Sequence, residues 1–176
     1  MTIVLRPFLR EDFSRLIRWI DTPALLTQWG RWKFRFPLDN AQLDDYLRDT
    51  STEPPTRRIY KALRSDQVVG HVELNGISRE NGTASICRVF VDPECRRVGI
   101  ARAMVRQVLQ IAFEEVGLRR IDLQVYDFNA PALACYERLG FVREGVLRKY
   151  AKVGDEFWDL VWMSILREEW DRQELV

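Results

Sequence analysis

Two clusters in this 176-residue chain bring together groups able to do chemistry. The first is V-D-P-E-C-R-R-V-G-I-A-R, residues 91–102, where a β-rich run gives way to two arginines, one glycine and the start of a helical pattern. A helix N-terminus leaves its first backbone N–H groups without intrahelical partners and carries partial positive charge, so a turn that bares it can hold a phosphate. Gly99 lets an anion approach the main chain, Ala101 keeps the first helical turn slim, and Arg96 and Arg97 add charge-assisted donors. The N–H groups of Arg97, Val98, Gly99, Ile100 and Ala101 are therefore candidate phosphate ligands. A dinucleotide fingerprint would need three glycines where only Gly99 stands, and a Walker loop is absent. A surface turn with solvated arginines is the plain alternative.

The second cluster is Q-V-Y-D-F-N-A-P-A-L-A-C-Y-E-R-L-G-F, residues 124–141. Asn129 stands at a helix start and suits a cap, while Tyr136, with Leu133 and Leu139 at i−3 and i+3, suits either a packed aromatic or an O–H donor. Cys135 has no histidine nearby in sequence to activate it and reads as small helical packing.

These clusters need elements to place them. Strand character marks 2–6, then 57–63, 68–77 and 83–91 as an antiparallel meander with Asn81-Gly82 at a hairpin turn, then 120–126, 141–152 and 155–166, the last two hinged at Gly154. Helical spacing marks 11–20, a segment capped by Asp39, an amphipathic run from Ile100 to Val116, and 130–139 ended by Gly140. Strand 83–91, the long helix and strand 120–126 form a crossover unit within a mixed α/β sheet, and the length suits a single domain over 1–176. Net charge is +1 from 27 basic and 26 acidic residues, so no global field recruits nucleic acid or a membrane surface. Three scattered cysteines and one histidine predict no metal site and a reducing, cytoplasmic setting, and no segment is long and apolar enough to span a bilayer.

R-x-x-G-x-A at 96–101, N-x-x-A-x-x-x-Y at 129–136 and E-R-L-G-F ending at Phe141 together resemble the paired signatures of the GNAT N-acetyltransferases. The likeness covers 57–165, and the end segments L-R-P-F-L-R-E-D-F and M-S-I-L-R-E-E-W resemble the subgroup of ribosomal-protein N-terminal acetyltransferases. The resemblance implies a GNAT-like, mostly antiparallel sheet of six to seven strands, with a central parallel pair that splays apart and helices on both faces. It implies acetyl transfer from acetyl-coenzyme A to a primary amine by direct attack in a ternary complex. On this reading the turn cradles the coenzyme A pyrophosphate, with Arg102 or Arg106 screening charge, and Asn129 bonds the pantetheine arm. A main-chain N–H near Phe90 or Val91 polarises the thioester oxygen, and Tyr136 protonates the departing thiolate.

The base is expected to be Glu73 in G-H-V-E-L-N-G-I, whose strand neighbours the catalytic one, or else water; a solvated polar residue is the alternative, and His71 shares its strand face. Trp29 and Trp32, in Q-W-G-R-W-K-F-R-F, lie where the family builds its acceptor wall, and Asp44, Asp45 or Asp49 could attract a cation there; core packing is the alternative. The acceptor is expected to be a protein N-terminus or a small-molecule amine, and a homodimer through the terminal strands is ordinary for such a fold. A coenzyme A-binding regulatory or interaction module without turnover is the competing reading, since the strand A-S-I-C-R-V-F-V holds no carboxylate.

Overall fold

The computed structural model describes residues 2–174. Its elements run β1 (Val4–Pro7), α1 (Phe13–Trp19), α2 (Pro23–Gly30), α3 (Asn40–Leu47), β2 (Arg57–Arg64), β3 (Gln67–Ser78), β4 (Thr83–Val91), α4 (Ile100–Gln110), β5 (Arg120–Tyr126), α5 (Ala130–Glu137), β6 (Val142–Val153), β7 (Glu156–Leu166) and α6 (Arg167–Glu174). The strands form one seven-stranded sheet in the order β1-β2-β3-β4-β5-β7-β6. Every pairing is antiparallel except β4 with β5.

Alternation along the strands sends apolar side chains to two covering layers. On one face Ile86, Ile121, Leu123 and Val125 meet Met104, Val105, Val108 and Leu109 of α4, with Leu133 and Tyr136 of α5 and Trp170 of α6 beside them. On the other face Ile59 and Phe90 meet Phe13 and Leu16 of α1, Leu26 and Trp29 of α2, and Leu43 and Tyr46 of α3. Gly70 permits close approach between these parts, because a Cβ there would lie 2.9 Å from the Phe90 carbonyl oxygen and 3.1 Å from the Met104 sulfur.

Two irregularities matter for function. The parallel pair is in register only from Thr83↔Arg120 to Ile86↔Leu123, after which β4 continues to Val91 and β5 to Tyr126 without pairing. A gap therefore opens between them. Just where it opens, β4 bulges: Glu73 pairs with Cys87 but His71 pairs with Phe90, so Arg88 and Val89 stand opposite the single residue Val72. Arg88 takes a left-handed conformation, φ 52°, which a non-glycine residue adopts only when its surroundings hold it there.

The segment 21–37, which lacks clear periodicity, contains helix α2. It begins on a Thr22 cap that accepts from the Leu25 N–H at 3.2 Å, and Pro23 fits its first turn. Eight residues are too few to display a period. The run expected to be one helix to Val116 stays regular to Gln110 and closes in a wider π turn, Ile111–Glu115, with Val116 N–H bonding Ile111 C=O at 2.9 Å. The Asp39 cap is as expected, accepting from the Gln42 N–H at 2.8 Å.

Trp29 is buried, and its Nε1–H donates to the Arg88 carbonyl at 3.0 Å, clamping the bulge from the α2 side. Trp29→Phe is expected to lower unfolding stability by about 1–3 kcal/mol, the cost of stranding a buried acceptor, while leaving the acceptor KM unchanged. Urea unfolding and steady-state kinetics check this; a raised KM at unchanged stability would make Trp29 an acceptor contact.

Candidate active site

The turn after β4 is wound tightly, with positive φ at Arg97 (66°) and Gly99 (85°). Gly99 caps α4, and the first intrahelical bond runs from Ala103 N–H to Gly99 C=O at 3.0 Å. The N–H groups of Ile100, Ala101 and Arg102 thus precede the helical ladder and are the orphan donors an anion can use. The two arginines part company. Both are exposed, but Arg96 folds back, donating from Nε to the Val91 carbonyl at 3.1 Å with its guanidinium 5.3 Å from the Phe90 ring centre. Farther along α4, Arg102 lies close enough to α5 for its charge to reach Cys135, and Arg106 sits 5.6 Å over the Trp170 ring, away from the turn.

The ladder also decides which amide faces the gap. Asp92 N–H donates to Val69 C=O at 3.0 Å, toward β3. Backbone groups alternate sides along a strand, so Phe90 also points its polar groups toward β3, while Val91 and Val89 point theirs away, into the gap. The Val91 carbonyl, taken up by Arg96, agrees with this. Of the pair Phe90 and Val91, it is Val91 whose N–H faces the gap between the strands, and the Phe90 side chain is packed against Trp19 at 5.5 Å.

Across the gap stands α5. Asn129 caps it through Oδ1, which accepts from Ala132 N–H at 3.3 Å, leaving the side-chain NH₂ as a donor. Tyr136 is buried against Phe141, ring centres 5.9 Å apart, in the core that α4 and α5 share, on the helix that follows β5. Burial, with Cys135 and Cys87 adding to it, raises the phenol well above its usual range, which keeps the proton on oxygen.

Glu73 has a different setting from that of a base open to substrate. Its side chain is 0% exposed. Oε1 lies 2.8 Å from Arg57 Nε, and Oε2 accepts from Tyr46 Oη at 2.7 Å and from Arg88. Arg57 also donates to Asn75 Oδ1 at 3.0 Å and to the Tyr46 carbonyl at 3.2 Å. His71 Nε2 lies 3.2 Å from Tyr46 Oη. Two guanidiniums and a phenol thus surround the carboxylate, beneath the bulge.

The two tryptophans separate as well. Trp29 is in the core, while Trp32, only three residues on, is 66% exposed and packs on Tyr150 of β6 at 5.2 Å. Asp44 pairs with Arg10 at 3.1 Å and Asp45 with Arg48 at 2.9 Å; the Asp49 side chain lies outside the described residues. Sequence reasoning passed over the far side of the cleft. Helices α1–α3 cover only part of their face, and Asp122, Gln124 and Tyr126 of β5 alternate onto the rest of it, with Cys87 opposite. Strict alternation in R-I-D-L-Q-V-Y was the available signal. Asp122 accepts from Ser85 Oγ at 2.6 Å, and desolvation raises its carboxyl despite that bond. Among the described residues no group of three or more His, Cys, Asp and Glu side chains could hold a metal ion, and no helix is long and apolar enough to cross a membrane.

With this geometry in place, comparison with known proteins is direct. The family model described as "Acetyltransferase (GNAT) family" matches residues 22–141. An SPbeta prophage-derived uncharacterized N-acetyltransferase, YokL, of Bacillus subtilis is 33% identical over 137 residues, covering 77% of this chain and 76% of its own. A spermidine N(1)-acetyltransferase of Vibrio cholerae is 30% identical over 169 residues, covering 96% and 95%. A crystal structure of the Vibrio cholerae spermidine N-acetyltransferase with CoA and spermine superposes with a TM-score of 0.83 at 23% identity, over 96% of this chain and 97% of that one, and so shares the fold.

Burial, with the Arg88 charge adding to it, depresses His71 from 6.5 to about 3. The unfolded chain binds this proton below pH 6.5 and the folded chain only near 3, so stability is fully present above 6.5 and falls as pH drops through that window. Glu144, held down to about 2 by Arg120 and Ser164, contributes stability that is fully present above pH 4.5 and is lost only as pH falls from there toward 2, outside this window. His71 is the sole histidine. Chemical unfolding between pH 7 and 5 should therefore show stability declining by up to about 1.4 kcal/mol per pH unit, and His71→Asn should flatten the slope. An unchanged slope would contradict this assignment.

Proposed function

This chain belongs to the acetyltransferase (GNAT) family and is an acetyl-coenzyme A-dependent N-acetyltransferase; we propose that it acetylates a small primary amine by direct attack in a ternary complex. The observation that carries this reading is the gap itself, bordered by β4 and β5, with the bared N-terminus of α4 following one strand and α5, which carries Tyr136, following the other.

On this reading the amides from Arg97 to Ala101 hold the pyrophosphate, with Arg97 as the free cation, and the Asn129 NH₂ bonds the pantetheine arm. The thioester carbonyl oxygen lies at the Val91 N–H. The amine nitrogen attacks the carbonyl carbon, a C–N bond forms, and the amide N–H meets the charge that builds on oxygen. Collapse breaks the C–S bond, and the departing thiolate takes the Tyr136 proton, which the tyrosinate regains from solvent. The proton lost by the amine leaves through water in the cleft. Glu73 then acts as a positioning residue: a carboxylate enclosed by Arg57, Arg88 and Tyr46 is badly placed to touch an amine and well placed to fix the bulge that precedes Val91.

A protein N-terminus as acceptor is the second reading, favoured by the end segments that resemble the ribosomal-protein subgroup. A homodimer through the terminal strands belongs to the same proposal; the outer strand β6 exposes Val142, Val146 and Leu147. So does a cytoplasmic setting, with Cys87, Cys95 and Cys135 all free.

Thiol release from acetyl-coenzyme A with an amine panel tests the reading. Tyr136→Phe should lower kcat by about 10²-fold or more with coenzyme A affinity unchanged. Gly99→Glu, which sets a bulky anion at a left-handed position, should nearly abolish coenzyme A binding, whereas Arg97→Ala should weaken it only modestly. Coenzyme A binding without acceptor-dependent thiol release would make the chain a binding module, and the reverse ranking of the two turn variants would undo the cradle.

A further inference from the structure

Arg31 closes α2 in a left-handed conformation, φ 52°, that turns it back toward the open part of the sheet. Its guanidinium lies 5.9 Å from the ring centre of Tyr150, and its charge reaches Cys87 in β4 and both Asp122 and Tyr126 in β5. Tyr150 packs with Tyr126, which sets Arg31 on the face of the sheet that Asp122, Gln124 and Tyr126 share. No carboxylate pairs with it among the described residues, whereas Arg57 and Arg88 share Glu73, Arg120 is bound to Glu144, and Arg10 and Arg48 hold Asp44 and Asp45. The same segment adds Lys33 and Arg35.

Around this cation the cleft is aromatic. Trp32 packs on Tyr150, and Tyr126 meets Phe128 at 5.7 Å and Trp158 at 5.1 Å. Three buried polar atoms here have no protein partner: Tyr126 Oη, Gln124 Oε1 and Trp162 Nε1. Buried polar groups in native proteins are nearly always satisfied, so their clustering beside an unpaired guanidinium marks a place where a polar ligand or water completes the bonding. Asp122 shares this face: it accepts from Ser85 Oγ at 2.6 Å and its charge interacts with that of Arg31.

We infer that the acceptor is a primary amine that also carries a carboxylate, bound by Arg31, with its apolar part lying against the Trp32–Tyr150 pair. This rests on the acetyl-transfer reading above and narrows it: the carboxylate belongs to a free amino acid or to an acidic side chain beside a peptide N-terminus. Arg31 offers a planar fork matched to a carboxylate, and its long side chain is steadied by Tyr150.

The test compares kcat/KM for phenylalanine, phenylalaninamide, phenethylamine and spermidine, with C-terminally amidated Ala-Asp and Ala-Asn peptides as a further pair. The acid of a matched pair should exceed its neutral counterpart by about tenfold or more. The phenylalanine series and the peptide pair show which source is used. Arg31→Gln should erase that preference, raising KM for the acid while leaving the neutral amines within about twofold. Equal use of acid and neutral amine, a preference for spermidine, or an equal loss for all acceptors in Arg31→Gln would overturn the inference while leaving acetyl transfer intact. Should no amine be turned over, calorimetric titration of N-acetylphenylalanine and N-acetylphenylalaninamide into the coenzyme A-bound protein decides the point. Tighter binding of the acid, lost in Arg31→Gln, sustains the inference; equal or absent binding overturns it.

Discussion

The site hangs on one buried carboxylate. Glu73 lies between Arg57 and Arg88 with no exposed surface, and through Arg88 it holds the backbone of β4 in a conformation that strand would not adopt unaided. A left-handed arginine costs roughly 1 kcal/mol or more, and removing one partner of a buried ion pair typically costs about 3–5 kcal/mol. Withdrawing Arg88 would leave the buried carboxylate with less of its charge compensated, and this opposes relaxation of the strained backbone. Tyr46 and Trp29 complete the clamp, one bonded to the carboxylate and one to the Arg88 carbonyl, and the cation also lies 5.3 Å over the Tyr46 ring. The bulge shifts the register by one residue, and that shift decides which β4 amides pair with β3 and which face the gap.

Everything the proposed chemistry requires is then supplied by neighbours of the gap. Four residue pairs hold β4 and β5 together and then release them, the turn that follows β4 starts α4, and the turn that follows β5 starts α5. Because β4 and β5 are parallel, both helix starts lie at the same edge of the sheet, so the bared N-terminus of α4 and the helix that carries Tyr136 follow the two strands that border the gap. On the opposite face α1–α3 pack on β2 and the end of β4, and Asp122 and Gln124 of β5 lie on that same face beyond them.

Local rules made much of this legible. β4 and β5 run over the expected 83–91 and 120–126 because β-branched residues and strict alternation mark them, and Gly99 was recognisable as the residue able to bare a helix start. The bulge was not legible, since a left-handed arginine leaves no sign in composition or spacing. Nor was the enclosure of Glu73, whose partners come from positions 46, 57 and 88 and meet only when three strands and a helix are assembled. Trp29 and Trp32 look alike in sequence and differ because Arg31 turns the chain between them, sending one indole inward and the other to the cleft rim. Asp122 and Gln124 were readable from alternation, yet their value depends on which face the helices leave open, a tertiary fact.

The most direct test of the central claim is the pH profile of kcat/KM for Glu73→Gln against the wild type. If the carboxylate holds the bulge, the variant should be slower by about tenfold or more at every pH, with the acid limb keeping its midpoint, because the amine's own ionisation sets that limb and its proton leaves through water. An acid limb that vanishes in the variant, with full activity retained at low pH relative to its own plateau, would make Glu73 the base and contradict the account.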